Sequence, residues 1–187
     1  MNDRYTTLAA KVDSGDALKG IISGTAMKYG VNIPRGPRLF ERVEPGTFKA
    51  QLSAPNRVTV LWQHDGDAPI GRATSLKDVG DELRFEALIS QHADIPEARK
   101  ALALLDEGVI DEVSVGFEWG TWHEERDDEA GTFTIVHTKA RLREFSVVTF
   151  GALGQDATVK SVASAAGMIA APINIDAYRA RLAGLRA

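Results

Sequence analysis

The sequence predicts an α+β protein that is mainly β, a small antiparallel barrel of six or seven strands flanked by helices. Three observations predict it. Short runs rich in β-branched and aromatic residues recur along the chain, separated by Gly, Pro and Asp clusters. Only one internal stretch carries a convincing helical period. The chain has 187 residues, of which 44% are hydrophobic, enough for one sizeable core and too few for two full domains.

The elements run in order. "GIISGTAMKYG" (Gly20 to Gly30) mixes strand formers with glycine and reads as a bent or bulged strand. "VNIPRGPRLFERVEPGTF" holds Pro34, Pro37 and Pro45 and reads as a long loop with a short turn at Glu44–Phe48. "RVTVLWQH" alternates, so Val58, Val60, Trp62 and His64 share one face of a strand. "DGDAP" reads as a turn, "IGRATSL" as the returning strand, "DVGDE" as a second turn and "LRFEALI" as a third strand.

The helix is "DIPEARKALALLDEG". Asp94 is placed to cap it with Glu97 three residues on, Pro96 suits its first turn and Gly108 its stop. Ile95, Ala98, Ala101, Leu102 and Leu105 form its apolar stripe. Beyond it come the strand "IDEVSVGF", a hairpin tip at "ERDDEAG", and two strand-like runs, "TFTIVHT" and "ARLREFSVVTF". The predicted organisation is a barrel domain over residues 1–157. An Ala/Ser-rich linker and a short C-terminal helix capped by Asp176 fill 158–187.

Composition narrows function. The formal net charge of −4 gives no phosphate-seeking surface, so nucleic acid is a poor first partner. The absence of cysteine excludes disulfides, thiolate metal sites and a cysteine nucleophile, and fits a reducing cytosol. The polar N-terminal stretch has no apolar signal core, and no apolar run reaches the length of a membrane span. Asp65 and Asp67 stand in a Gly-containing turn without the further ligands of a calcium loop, so neither metal nor cofactor is expected.

Ser114 raises the chemical question, because it sits between Val113 and Val115 and is followed by the small Gly116. A strand serine is usually a polar residue on the wetter face, and it is a nucleophile only with a base in reach. Of the four histidines, His92 and His123 lie in polar, exposed-looking surroundings, and His137 lies within a strand. His64 ends an apolar strand and opens into a loop, a place where a rigid element presents a general base to a cleft. A structural histidine explains the same pattern at least as often. For the third position, ideal alternation puts Ala140, Leu142, Glu144, Ser146 and Val148 on one face, so Glu144 is a carboxylate among largely apolar neighbours that needs a partner. A structural salt bridge to Arg72 or Arg84 is the other reading.

The blocks "FERVEPGTF", "LWQHDGDAPIGRATSL", "LRFEALIS", "LLDEGVIDEVSVGF" and "LREFSVVTFGA", in this order over roughly Gly20 to Asp156, resemble the prohead serine proteases of tailed bacteriophages. That family is similar in fold to the herpesvirus assemblins. The resemblance implies a serine endopeptidase with Ser114 as nucleophile, His64 as base and Glu144 as the acidic member, His137 being the competitor for the third role. It also implies oxyanion donors around Gly151 to Gly154, where Gly151 replaces the proline of many relatives. The expected partners are the phage major capsid and scaffold proteins as substrates, with a homodimer or higher homo-oligomer and no nucleic acid or membrane. The expected location is the host bacterial cytoplasm and then the prohead interior, with self-processing in the Ser161–Pro172 segment. Two other classes stay open: an inactive structural head protein on the same barrel, and a small-ligand barrel lined by Trp62, Trp119 and Trp122.

Overall fold

The computed structural model describes the chain over residues 5–16, as backbone, and 20–151. The predicted linker, C-terminal helix and Ser161–Pro172 segment lie outside the described residues. Among the described residues nine strands form one sheet: β1 (Tyr5–Asp16), β2 (Ile21–Lys28), β3 (Ile33–Pro34), β4 (Leu39–Val43), β5 (Thr59–Trp62), β6 (Asp65–Val79), β7 (Glu82–Ile89), β8 (Glu112–Asp127) and β9 (Thr132–Val148). The order β9-β5-β6-β7-β2-β1-β8 returns from β8 to β9 and closes a seven-stranded barrel, while β4 and β3 extend from β9. The mainly-β barrel expected from the sequence is therefore the fold.

The core arises from strand alternation. Val58, Val60, Val113, Val115, Phe117, Phe145 and Val147 are all fully buried and point inward. Phe145 packs on Phe85 with ring centroids 4.6 Å apart, and Phe117 meets Phe48 edge-on at 5.4 Å. The helix α2 (Pro96–Asp106) buries Ala98, Ala101 and Leu102 against this core. It begins with Pro96 as expected, but Asp94 makes no cap: the residue ahead of the helix is Ile95, without a side-chain cap bond. It ends at Gly108, φ +67°, with Gly108 N–H on Leu105 O and Val109 N–H on Leu104 O. That crossed pair of bonds needs the left-handed residue that glycine supplies.

Several boundaries differ from the sequence reading. The predicted turn at "DGDAP" is the start of β6; the real turn is Gln63–His64, since Trp62 already pairs with Asp65. The proline-containing loop holds β3 and β4, and the one-turn helix α1 (Lys49–Leu52) follows directly after it. The runs "TFTIVHT" and "ARLREFSVVTF" are one continuous strand. Two pairings, β4–β9 and β5–β9, are parallel, so β9 takes both strands in succession along one edge while β8 runs antiparallel along the other.

Phe145 is the keystone of the barrel interior. Phe145→Ala is expected to cost about 3–5 kcal/mol in urea denaturation. Leu88→Ala, on the outer face and 40% exposed, is expected to stay within about 0.5 kcal/mol of the parent. Equal losses in both variants would contradict this assignment of inner and outer faces.

Candidate active site

Glu144 owes its direction to an irregularity in β9. Leu142 pairs with Phe117 and Glu144 with Gly116, so Arg143 is an extra residue with no partner across the ladder. A one-residue bulge of this kind breaks the period of two and re-aims the side chains beyond it. Leu142 points into the core, and so does Phe145; Glu144 and Ser146 point to the outer face. The expectation of one continuous face from Ala140 to Val148 is thus corrected. Arg143 itself turns outward and bonds Glu118 at 2.6 Å.

On this outer face three elements meet. Ser114 of β8 lies directly opposite Ser146 of β9, and Ser146 lies level with Leu61 of β5. Directly opposed residues hold their Cβ atoms about 5 Å apart on the same side of the sheet. Gly116, also on this side, faces Glu144. From the end of β5 the chain turns through Gln63 and His64, both left-handed at φ 54° and 59°. Two successive left-handed residues make the tight hairpin turn that matches strand twist, a position normally filled by Asn and Gly. Here two residues with full side chains occupy it, and neighbouring bonds hold them. Gln63 N–H donates to Val147 O at 3.0 Å, Gln63 Nε2 to Thr149 Oγ1 at 2.9 Å, and His64 N–H to Ser146 Oγ at 3.1 Å.

The turn delivers the His64 ring to Glu144, with Nδ1 to Oε1 at 2.9 Å. The second carboxylate oxygen accepts from Ser146 Oγ at 2.6 Å. Glu144 is buried, and these donors supply what a buried carboxylate requires. A carboxylate only accepts, so Nδ1 carries a proton, and in the neutral imidazole Nε2 keeps its lone pair. His64 remains partly open, its side chain 26% exposed. Ser114 is 3% exposed, and no hydrogen bond joins its hydroxyl to the His64 ring among the described residues. The structure therefore joins His64 to Glu144 and sets Ser114 across one strand pairing from the serine that links them.

His137 is elsewhere. It sits seven positions before Glu144 on β9, roughly 20 Å of strand away. It is fully buried, and its Nε2 bonds Glu41 Oε1 at 2.8 Å. Phe117 and Trp119 meet its ring edge-on, at 5.2 and 4.8 Å. Trp62 and Trp119 both pack against the main core. Trp119 and Trp122 pack with Leu39, Phe133 and Ile135, while Trp62 lies under Lys100 Nζ, 5.3 Å from its ring centre. His92 and His123 are exposed, as their surroundings in the sequence suggested. Of the expected oxyanion donors, Gly151 gives its N–H to the Glu112 carboxylate, and residues 152–154 lie outside the described residues.

Residues 6–169 match the family model described as the caudovirus prohead serine protease. The chain belongs to that family. It is also 29% identical over 170 residues to the capsid polyprotein of Pseudomonas phage PAJU2, a match covering 87% of this chain and 23% of that much longer protein. Among solved structures it is similar to the bacteriophage T4 capsid assembly protease, gp21, with a TM-score of 0.52 and 13% identity over 78% of this chain and 99% of that one. At that identity the T4 protein shares the fold.

Within this chain the residues that sequence reasoning missed are Ser146, Gln63, Thr149 and Glu41. Ser146 carried a signal: with Glu144 it makes a polar pair two residues apart inside the apolar run "EFSVVTF". Glu41 carried none, being a glutamate in a proline-containing stretch far from His137 in sequence.

Glu41 has a separate consequence. Burial alone pushes its carboxyl up, but the hydrogen bond from His137 and the charge of Arg35, at 2.7 Å, outweigh that and hold it below the usual carboxylate range. A group with a lowered folded pKa stabilises the fold above its unfolded value of about 4.3, and that stability drains away as pH falls through the folded value. Glu41→Gln is expected to be less stable than the parent at neutral pH and to lose less on acidification below about pH 4.3. Urea denaturation across this window tests it, and identical acid slopes for parent and variant would rule out Glu41 as the source.

Proposed function

We propose that this chain is a serine endopeptidase in which Ser114 is the nucleophile, His64 the general base and Glu144 the residue that fixes the imidazole. The observation that carries the reading is the 2.9 Å bond from His64 Nδ1 to a buried Glu144 carboxylate oxygen, made at a turn held in left-handed geometry. Backbone conformations that disfavour ordinary side chains persist where the surroundings over-determine them, and such places are often functional.

The chemistry is acyl transfer. Nε2 of His64 takes the Ser114 proton as Oγ attacks a peptide carbonyl, and the imidazolium then returns that proton to the leaving amine. Water, deprotonated by the same nitrogen, attacks the acyl-enzyme and frees Ser114. Glu144 holds the tautomer and offsets the imidazolium charge. Gly116, without a side chain and beside Ser114 on the same face, leaves space for the substrate backbone.

Family membership, with relatives described as a capsid polyprotein and a capsid assembly protease, supports scaffold and capsid-protein segments as the substrates during prohead maturation. Self-processing and a homo-oligomeric working form belong to the same reading. Capsid- or scaffold-derived substrate cleavage, followed by mass spectrometry with circular dichroism as a folding control, tests it. Ser114→Ala and His64→Ala are each expected to lower turnover by about 10⁴-fold or more, the double variant hardly further, and Glu144→Gln somewhat less. A folded Ser114→Ala protein with full activity refutes the reading. A normal Glu144→Gln protein beside an inactive His137→Ala protein moves the third role to His137.

A further inference from the structure

We propose that Ser146 is a positioning residue of this site, holding the base through both the backbone of His64 and the carboxylate of Glu144. The inference rests on the triad reading above and adds a fourth member to it. Ser146 is fully buried in β9, where its neighbours Phe145 and Val147 point into the core. Its hydroxyl accepts from His64 N–H at 3.1 Å and donates to Glu144 Oε2 at 2.6 Å. A hydroxyl has one proton to give, so the donor is committed to Glu144 and does not compete for Ser114, directly across the strand pair.

Each contact answers a specific problem. A histidine at φ 59° sits where its Cβ is disfavoured, and it returns to common backbone regions unless something retains it. The Gln63 bonds to Val147 and Thr149 anchor the first residue of the turn. Ser146 anchors the second, which is His64 itself. The carboxylate is free to rotate about its terminal torsion, and a donor on Oε2 leaves Oε1 aimed at Nδ1–H. One buried hydroxyl thus fixes the base at its main chain and at its partner, and stands opposite the nucleophile.

The expected consequence is a loss in turnover rather than in substrate binding. In Ser146→Ala, kcat for a capsid-derived peptide is expected to fall about 10- to 100-fold with KM changed by less than about twofold. Ser146→Thr, which keeps the hydroxyl, is expected to recover most of that loss. In proton NMR the low-field His64 Nδ1–H resonance is expected in the parent and in Ser146→Thr, and to be lost in Ser146→Ala. On the unaltered protein, the His64 amide is expected to exchange slowly with solvent despite its place in an exposed turn. Full activity in folded Ser146→Ala, or a His64 amide exchanging at an unprotected rate in the parent, overturns the proposal. The outcomes separate it from the triad reading: an active Ser114→Ala variant removes that reading, whereas inactive Ser114→Ala beside fully active Ser146→Ala removes only the role of Ser146.

Discussion

The bulge at Arg143 sets the geometry of the whole site. Without the extra residue, β9 would keep its period of two and Glu144 would enter the barrel beside Leu142, a charge among aliphatic and aromatic side chains. The bulge sends Glu144 to the opposite side, where it stands level with Thr59 and across from Gly116. The polar groups that β9 gives to the site are placed by that reversal. Ser146, two residues on, shares the face; Ser114 lies opposite Ser146; the turn after β5 falls within reach. The barrel interior gains in turn, because the same reversal brings Phe145 and Val147 inward to pack against Phe85 and the core.

Two histidine–glutamate pairs, each with one member on β9, have opposite characters. His137 and Glu41 are closed off: Phe117 and Trp119 meet the His137 ring edge-on, and Glu41 is tied further to Arg35. They join β4 to the far half of β9, and their burial suits a structural joint. His64 and Glu144 share the pairing chemistry, but the imidazole is partly open and its second nitrogen is not engaged by Glu144. Exposure and backbone geometry, rather than the presence of a His–Glu contact, distinguish the candidate base from the joint.

Much of this was legible in the sequence. Alternation put Val58 and Val60 on one face, Pro96 and Gly108 marked the ends of α2, and His64 stood out among four histidines by its place after an apolar strand, although it does not share the face of Val58 and Val60: the turn carries its ring to Glu144 on the outer side. The misses have physical causes. A bulge leaves no mark in "RLREFSVV", because its residues are ordinary strand formers and the break in period exists only relative to β8. The turn at Gln63–His64 lacks the glycine or asparagine that announces left-handed geometry, so the Gly- and Pro-containing "DGDAP" drew the turn instead. β4 hid behind prolines, since its parallel pairing with β9 is a long-range contact that local propensity does not encode. For the same reason the partnership of Glu41 with His137 was out of reach.

Activation of Ser114 by His64 is the step on which the proposed chemistry stands. Covalent labelling with a serine-directed phosphonate, combined with peptide mapping, probes it without any knowledge of the natural substrate. One stoichiometric adduct on Ser114 is expected, and it should disappear in the folded His64→Ala protein. An adduct on another residue, or labelling of Ser114 at an undiminished rate without His64, would show that His64 does not activate this serine.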